Sequence, residues 1–349
     1  MPETLRARVW TSLAQPLACA VAVLLLCSAF FLAIDREPLA VLWVIVTSAF
    51  GDAYSLSETL VKVAPVLLCA LATALPARLG LISVGAEGQL YFGALIGTGA
   101  VLIGIDAPGY LLLPSMLLTA AAGGAAWSLS AGWLRAALKV NETITTLLLN
   151  YVASLLVIWV VFGAWKDPAS QGWPASIEFP ATARLPTYFD SRVHLGLWIG
   201  LACAAALHVV LKRSRWGLEL DVLRSNPRAG HAAGLSFGRN VLLTMAIGGA
   251  LAGMAGIIET ANIQGRLQAN FSFGAGFSGF LVAWLARNDF LRIVALSLLV
   301  GALLASGDGM QMLAQLPSSV SLVVQALLFI GVLLVGGWFA RRQGRDGSA

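Results

Sequence analysis

The chain has 349 residues, 58% of them hydrophobic and 11% charged, with a mean hydropathy of +0.83 and a formal net charge of +5. Soluble domains carry about 25% charged residues, so the composition excludes a water-soluble globular protein and predicts an all-α, polytopic membrane protein, a single transmembrane domain over 1–349. The basic residues are spread through short segments between apolar runs, a distribution that reads as membrane topology and not as a nucleic-acid surface.

A membrane-spanning helix needs roughly 20 predominantly apolar residues. About ten crossings are predicted, over 17–34, 58–77, 86–104, 110–134, 143–165, 193–211, 240–261, 272–286, 290–307 and 318–338. The first run exceeds the roughly 7–15 residues of a signal-peptide core and no A-x-A site closes it, so a retained helix is expected. The shorter apolar segment 39–50 is expected as an interfacial or re-entrant helix. Alternate junctions carry Arg6 and Arg8, Arg78, Arg135 and Lys139, six basic residues from Lys212 to Arg239, Arg287 and Arg292, then Arg341, Arg342 and Arg345. The positive-inside rule puts these junctions and both termini in the cytoplasm.

Two connecting segments are long. The external loop 166–192, preceded by Trp165 in the run WKDPASQGWP, is expected as a partly ordered cap with aromatic residues at the headgroup level. The cytoplasmic loop 212–239 carries Leu218, Leu220, Val222 and Leu223 at helical spacing, then Asn226-Pro227, a pair that favours turn initiation. Two short helices joined by a turn are expected there.

Ionisable groups inside apolar runs are rare and face a bundle interior or an aqueous cavity. Glu87, in GLISVGAEGQLYFGALIGTG, and Glu142, in NETITTLLLNY, both follow a basic junction and open an outgoing helix. A carboxylate in a first turn meets the positive end of the helix dipole and unsatisfied N–H groups. Two readings stay open: caps near the inner headgroup layer, or the lining of a substrate path made by discontinuous helices. Gln89 belongs to the first motif and Asn141 to the second. Asn150 falls on the face of Glu142, with Thr143 and Thr146 extending the polar stripe. Helix–helix hydrogen bonding and pore lining both fit it. Glu259, Asn262, Gln264 and Gln268 mark an outer helix end and a return loop, followed by Phe271, Phe273, Phe277 and Phe280 among glycines. That aromatic segment suits a ring-bearing solute or close helix packing.

Several chemistries are missing. There is no G-x-x-x-x-G-K-[ST] loop, so no P-loop ATP hydrolysis is expected of this chain. His194, His208 and His231 stand apart, and Cys19, Cys27, Cys69 and Cys203 all fall in apolar runs. No catalytic triad, metal site or disulfide framework is indicated, and the chain is not expected to be an enzyme or to hold a cofactor.

Four stretches in order, GLISVGAEGQ, NETITTLLLNYVA, RWGLELDVLRSNPRAGHAAGLS and GAGFSGFLVAWLARND, resemble the permease subunits of bacterial ABC importers over roughly 58–338. The resemblance is to the nucleoside and simple-sugar branch of the group that also serves ribose-type sugars and branched-chain amino acids. Having both the EGQ and the NETITTLLLNY motifs, the chain looks like the longer subunit of a heterodimeric pair. The resemblance implies import of a small polar solute, a nucleoside or a simple sugar, across the bacterial inner (plasma) membrane. It implies three partners: a cytoplasmic ABC ATPase that carries ATP and Mg, a shorter paralogous permease, and an external solute-binding lipoprotein. Gly217, Glu219, Leu220, Asn226, Pro227, Ala229 and Gly234 match the pattern of the helix that couples to the ATPase, whereas Asp221, Val222 and Gly230-His231 depart from it. Ser83, Trp284, Ala286 and Phe290 also depart from the pattern and suggest a shifted substrate preference. The substrate-path candidates are Glu87, Gln89, Asn141, Glu142, Asn150, Phe277 and Trp284. The competing reading is an ion-coupled secondary transporter with Glu87 and Glu142 as coupling carboxylates.

Overall fold

A computed structural model describes residues 3–170, 172–188 and 191–346; the side chains of 3–16 and 340–346, including Arg6, Arg8, Arg341, Arg342 and Arg345, lie outside the described residues. The elements are α1 (Glu3–Ala33), α2 (Pro38–Phe50), α3 (Ala53–Arg78), α4 (Ala86–Ile103), α5 (Gly109–Leu138), α6 (Glu142–Phe162), α7 (Leu195–Arg213), α8 (Arg215–Ser225), α9 (Pro227–Ala232), α10 (Phe237–Glu259), α11 (Ala275–Leu285), α12 (Phe290–Leu313) and α13 (Val320–Asp346). Among the described residues the only β pairing is two isolated bridges. The chain is an all-α polytopic membrane protein.

Among the described residues, eight helices are each long and apolar enough to cross a membrane: α3 to α7, α10, α12 and α13. The described part of α1, Leu17–Ala33, passes the same test as a pair with α2, from which it is bent by 116°, and the pair makes a ninth. The expected crossing 272–286 differs. Phe273 and Gly274 take positive φ of 47° and 75°, so the helix starts only at Ala275 and has 11 residues. At about 1.5 Å per residue it covers roughly 16 Å, half of the roughly 30 Å hydrocarbon layer. It is a half-length helix.

The contacts divide the chain into two compact units, 1–59 with 302–349, and 60–301. In the first, α1 runs against α13, with Gly331 of α13 facing Val23 of α1. In the second, α4, α5 and α10 pack most closely. Their contact surfaces are glycine: a Cβ on Gly93 would land on Gly253, one on Gly124 on the Gly249 carbonyl, and one on Gly253 on the Ala120 carbonyl. Without a hydrophobic force between helices in lipid, such close backbone approach supplies the packing.

Around this trio α6 has its polar side inward. Glu142, Thr146 and Asn150 are buried with Ala153 and Val157, while Ile144, Leu148, Leu155 and Trp159 are exposed. The i, i+4, i+8 spacing of the polar residues puts them on one face, and that face positions the site.

Candidate functional site

The chain leaves α3 at Arg78 and runs without helical structure to Gly85 before α4 begins. This break leaves backbone groups to be satisfied inside an apolar layer, and the inward stripe of α6 satisfies them one after another. Glu142 accepts from Ile82 N–H at 3.1 Å, Thr146 Oγ1 accepts from Val84 N–H at 3.1 Å, and Thr143 Oγ1 donates to the Ile82 carbonyl at 2.9 Å. Asn150 closes the series: its Oδ1 accepts from Gly88 N–H at 2.8 Å and its Nδ2 donates to the Val84 carbonyl at 2.9 Å. Asn150 thereby caps the start of α4 from another helix. Asn141 caps α6 itself, accepting from Thr143 N–H at 2.9 Å and Ile144 N–H at 3.3 Å.

The two glutamates therefore stand at different depths. Glu142 lies at the first turn of α6 and pairs with Arg135 Nε at 3.2 Å, as a group near the headgroups would. Glu87 is level with Asn150, eight residues further along α6 and roughly 12 Å deeper. Glu87 stands this far from Glu142 because the chain climbs through 79–85 before its helix starts.

Glu87 is 7% exposed and does not cap its own helix. Its Oε2 accepts from Gly276 N–H at 2.8 Å, in the first turn of α11, and its Oε1 accepts from the Ser272 hydroxyl. A carboxylate at the start of α11 meets two fixed donors and the positive end of that helix, which offset its desolvation. The approach is tight, since a Cβ on Gly276 would collide with the Glu87 backbone. Tyr91 meets Phe271 edge-on, with ring centroids 4.8 Å apart. Gln89, also buried, donates from Nε2 to Ser128 Oγ of α5 at 3.1 Å. The result is a chain of caps, α6 onto α4 and α4 onto α11.

Beside it lies a second charged group. Lys62 Nζ of α3 is 3.7 Å from Glu259 Oε1 at the end of α10, and 5.4 Å from the centre of the Phe273 ring, a cation–π distance. Glu259 is 2% exposed and its Oε2 is buried without a hydrogen-bond partner, whereas Lys62 is 21% exposed. Phe273, Phe277 and Trp284 are exposed by 59%, 40% and 49%. Phe277 and Trp284, seven residues apart, give α11 an open aromatic face, with Phe280 against Trp284 at 5.9 Å and Phe273 in the turn that precedes the helix. Lys62 is absent from the sequence-derived candidates, although a lysine inside TLVKVAPVLL falls under the rule that marks Glu87. Ser272 carries no such signal. Among the described residues no cluster of His, Cys, Asp and Glu could hold a metal ion.

The two long loops are ordered. In 166–192, apart from the undescribed 171, 189 and 190, Ser176 N–H donates to the Leu267 carbonyl at 2.9 Å and Phe179 N–H to that of Gly265 at 2.8 Å. Arg266 reaches Asp167 and Glu178, each at 4.0 Å. The loop thus covers the return segment after α10. It ends at His194, whose Nδ1 accepts from Gly196 N–H at 3.2 Å as the cap of α7. In 212–239 the two expected helices are α8 and α9. Gly217 is buried against the Leu211 carbonyl, Leu220 is buried, and Glu219 is half-buried. Asn226 caps α9 by accepting from Ala229 N–H at 3.1 Å, and Asn226, Pro227, Ala229 and Gly234 are all exposed. Gly230, one of the departures, is buried with Leu223 packed over it.

Comparison with known proteins adds a family match and three relatives. A family described as "Branched-chain amino acid transport system / permease component" matches residues 55–333. A glucose ABC transporter permease protein of Haloferax volcanii, TsgB13, is 32% identical over 97% of this chain and 94% of its own. A guanosine ABC transporter permease protein of Bacillus subtilis, NupP, is 33% identical over 81% of this chain and 82% of its own. A nucleoside ABC transporter permease protein of Lactococcus lactis, NupB, is 28% identical over 81% and 80%.

Proposed function

Because the chain belongs to the family of branched-chain amino acid transport system permease components, we propose that it is the membrane permease subunit of an ABC importer for a nucleoside, with a simple sugar as the second choice of solute. The observation that carries this reading is the open aromatic face of α11, rooted on a buried carboxylate and flanked by Lys62 and Glu259. Exposed aromatic side chains can stack on a planar ring, and the partly exposed Lys62 offers a donor for ring substituents. The relatives named for guanosine and nucleosides support the same class.

In this reading Glu87, Gln89, Asn141, Glu142 and Asn150 hold the broken helices that border the path, and Phe277 and Trp284 line it. The turn of α8 and α9, with Asn226, Pro227, Ala229 and Gly234 exposed, Glu219 half-buried and the buried Gly217 and Leu220 holding it in place, docks on a cytoplasmic ATPase that binds ATP and Mg. A shorter paralogous permease completes the path, and an external lipoprotein delivers the solute at the bacterial plasma membrane. ATP binding drives transport by favouring one of two permease conformations, since only differential affinity shifts such an equilibrium. The ion-coupled alternative is weakened because both carboxylates are engaged, Glu142 by Arg135 and Ile82, Glu87 by Ser272 and Gly276.

The test is uptake of labelled guanosine and of labelled glucose by cells lacking this chain and by the same cells supplied with it. Guanosine uptake restored by the chain, and abolished when the partner ATPase loses its P-loop lysine, is the expected result. Uptake that persists without ATPase activity and collapses with an uncoupler would replace this reading with the ion-coupled one.

A further inference from the structure

At the basic end of the second unit, the last residues of α3 and α7 and the turn before α12 line a cavity of about 120 Å³. That is roughly ten times what a single water requires. Its charged wall is Arg78, Lys212 and Arg287, with His208 and Asn288 beside them. These residues come from three separate stretches of sequence. Arg78 and Lys212 stand in the last turns of their helices, where a cation complements the carbonyl end.

The turn that supplies Arg287 and Asn288 is unusual. Both residues take positive φ, 52° and 57°, a region sparsely populated by residues with a side chain. The turn is held by Arg287 N–H on the Trp284 carbonyl at 3.0 Å and Asn288 N–H on the Ala283 carbonyl at 2.9 Å. Such strain concentrates at ligand sites. Two polar atoms of the wall are buried without a hydrogen-bond partner, Arg78 Nε and Asn288 Oδ1. Turning the Asn288 amide over presents its NH2 group instead.

The neighbouring carboxylates are engaged. Asp221 pairs with Arg78 at 3.3 Å, and Asp289, on the cavity wall, caps α12 by accepting from Leu291 N–H and Arg292 N–H at 3.1 Å each. Lys212 and Arg287 have no ion-pair partner among the described residues. Three candidate membrane helices end or begin here, α3 at Arg78, α7 at Arg213 and α12 at Phe290, which is the level of the lipid headgroups. Leu211 and Phe290 give the wall an apolar side.

We infer that this cavity binds a phosphate-bearing anion, and its level between helix ends makes an anionic phospholipid headgroup the favoured source. Basic pockets between transmembrane helices take such headgroups, each basic residue contributing about fivefold in affinity. The inference does not depend on which solute the protein carries.

The full chain, purified from its native membrane with whatever accompanies it, is exchanged into nanodiscs of phosphatidylcholine containing one-fifth phosphatidylglycerol, and retained lipid is counted by native mass spectrometry. Arg287→Gln and Lys212→Gln are each expected to retain about fivefold less phosphatidylglycerol, Arg287→Lys to retain the wild-type amount, and Arg292→Gln, outside the cavity, to lose none. In a second arm, inorganic phosphate is added in pure phosphatidylcholine nanodiscs and the melting temperature is read. Stabilisation of the wild type and not of Arg287→Gln by phosphate, without lipid retention, assigns the site to a soluble phosphate. Equal lipid retention by wild type and both Gln variants, with no phosphate effect that separates them, overturns the inference. Loss of folding in one Gln variant leaves the other to decide.

Discussion

Glu87 and Asn150 solve the same problem from opposite sides. A helix that starts inside an apolar layer has N–H groups that no water reaches, and each receives an acceptor from a neighbouring helix: Gly88 N–H from Asn150, Gly276 N–H from Glu87. Truncating an acceptor leaves buried donors unpaired, at about 1–3 kcal/mol for each. Glu87→Ala strands two, Gly276 N–H and the Ser272 hydroxyl, for a cost of about 2–6 kcal/mol. Glu87→Gln keeps an acceptor for Gly276 and loses chiefly the charge–dipole attraction, up to about 2 kcal/mol. Thermal unfolding of the purified protein should therefore rank wild type above Gln above Ala. Equal melting temperatures for the two variants would mean that the carboxylate does not cap α11. The charge of Glu87 was legible in the sequence, because an acid in an apolar run stands out. Its partners were not, because Ser272 and Gly276 lie almost two hundred positions away and carry no pattern that points back.

The helices themselves were largely legible, and the exceptions have local causes. Ten apolar runs predict ten crossings, and each forms a helix, although the one over 272–286 is only half-length. Composition cannot show that backbone at 273 and 274 turns left-handed and shortens α11, so its half-length emerges only in the structure. The polar stripe of α6 was visible through its period, and so was the α8–α9 turn through Asn226-Pro227. Asn226→Ala removes the cap that Ala229 N–H uses, at about 1 kcal/mol. Since α9 has six residues, that loss frays most of it. The proposed docking predicts less ATPase co-purifying with Asn226→Ala while membrane insertion is unchanged, and undiminished co-purification would place the docking elsewhere.

A second cap adds a pH dependence. Burial, and then the nearby Arg192 charge, lowers the pKa of His194 from 6.5 to about 4. The neutral ring is the form that accepts from Gly196 N–H. Because the unfolded chain binds this proton more readily, the cap's stability is complete above pH 6.5 and is lost as pH falls towards 4. The loss between pH 7 and pH 5 is on the order of 2 kcal/mol. His194→Asn keeps a cap that does not titrate, so its melting temperature should fall less between those pH values than that of the wild type. Identical slopes would remove His194 from the account.

Across the second unit, charge sorts the molecule into two ends. Arg78, Lys212 and Arg287, predicted on the same side from separate junctions, line one cavity, and Arg78 pairs with Asp221 of α8. The loop 166–192 and the return segment 262–268, both predicted on the other side, bond to each other. A positive-inside protein of this layout exposes α8 to the cytoplasm and the 166–192 loop to the outside. Two cysteine substitutions at exposed positions test that orientation, Ala181→Cys in the loop and Ser225→Cys at the end of α8. The four native cysteines are buried or half-buried, so background labelling stays low. In intact cells stripped of any outer membrane, a charged, membrane-impermeant maleimide should modify Ala181→Cys and spare Ser225→Cys, which reacts only after permeabilisation. The reverse pattern would invert the protein, turning the basic cavity and the α8–α9 turn away from any cytoplasmic ATPase.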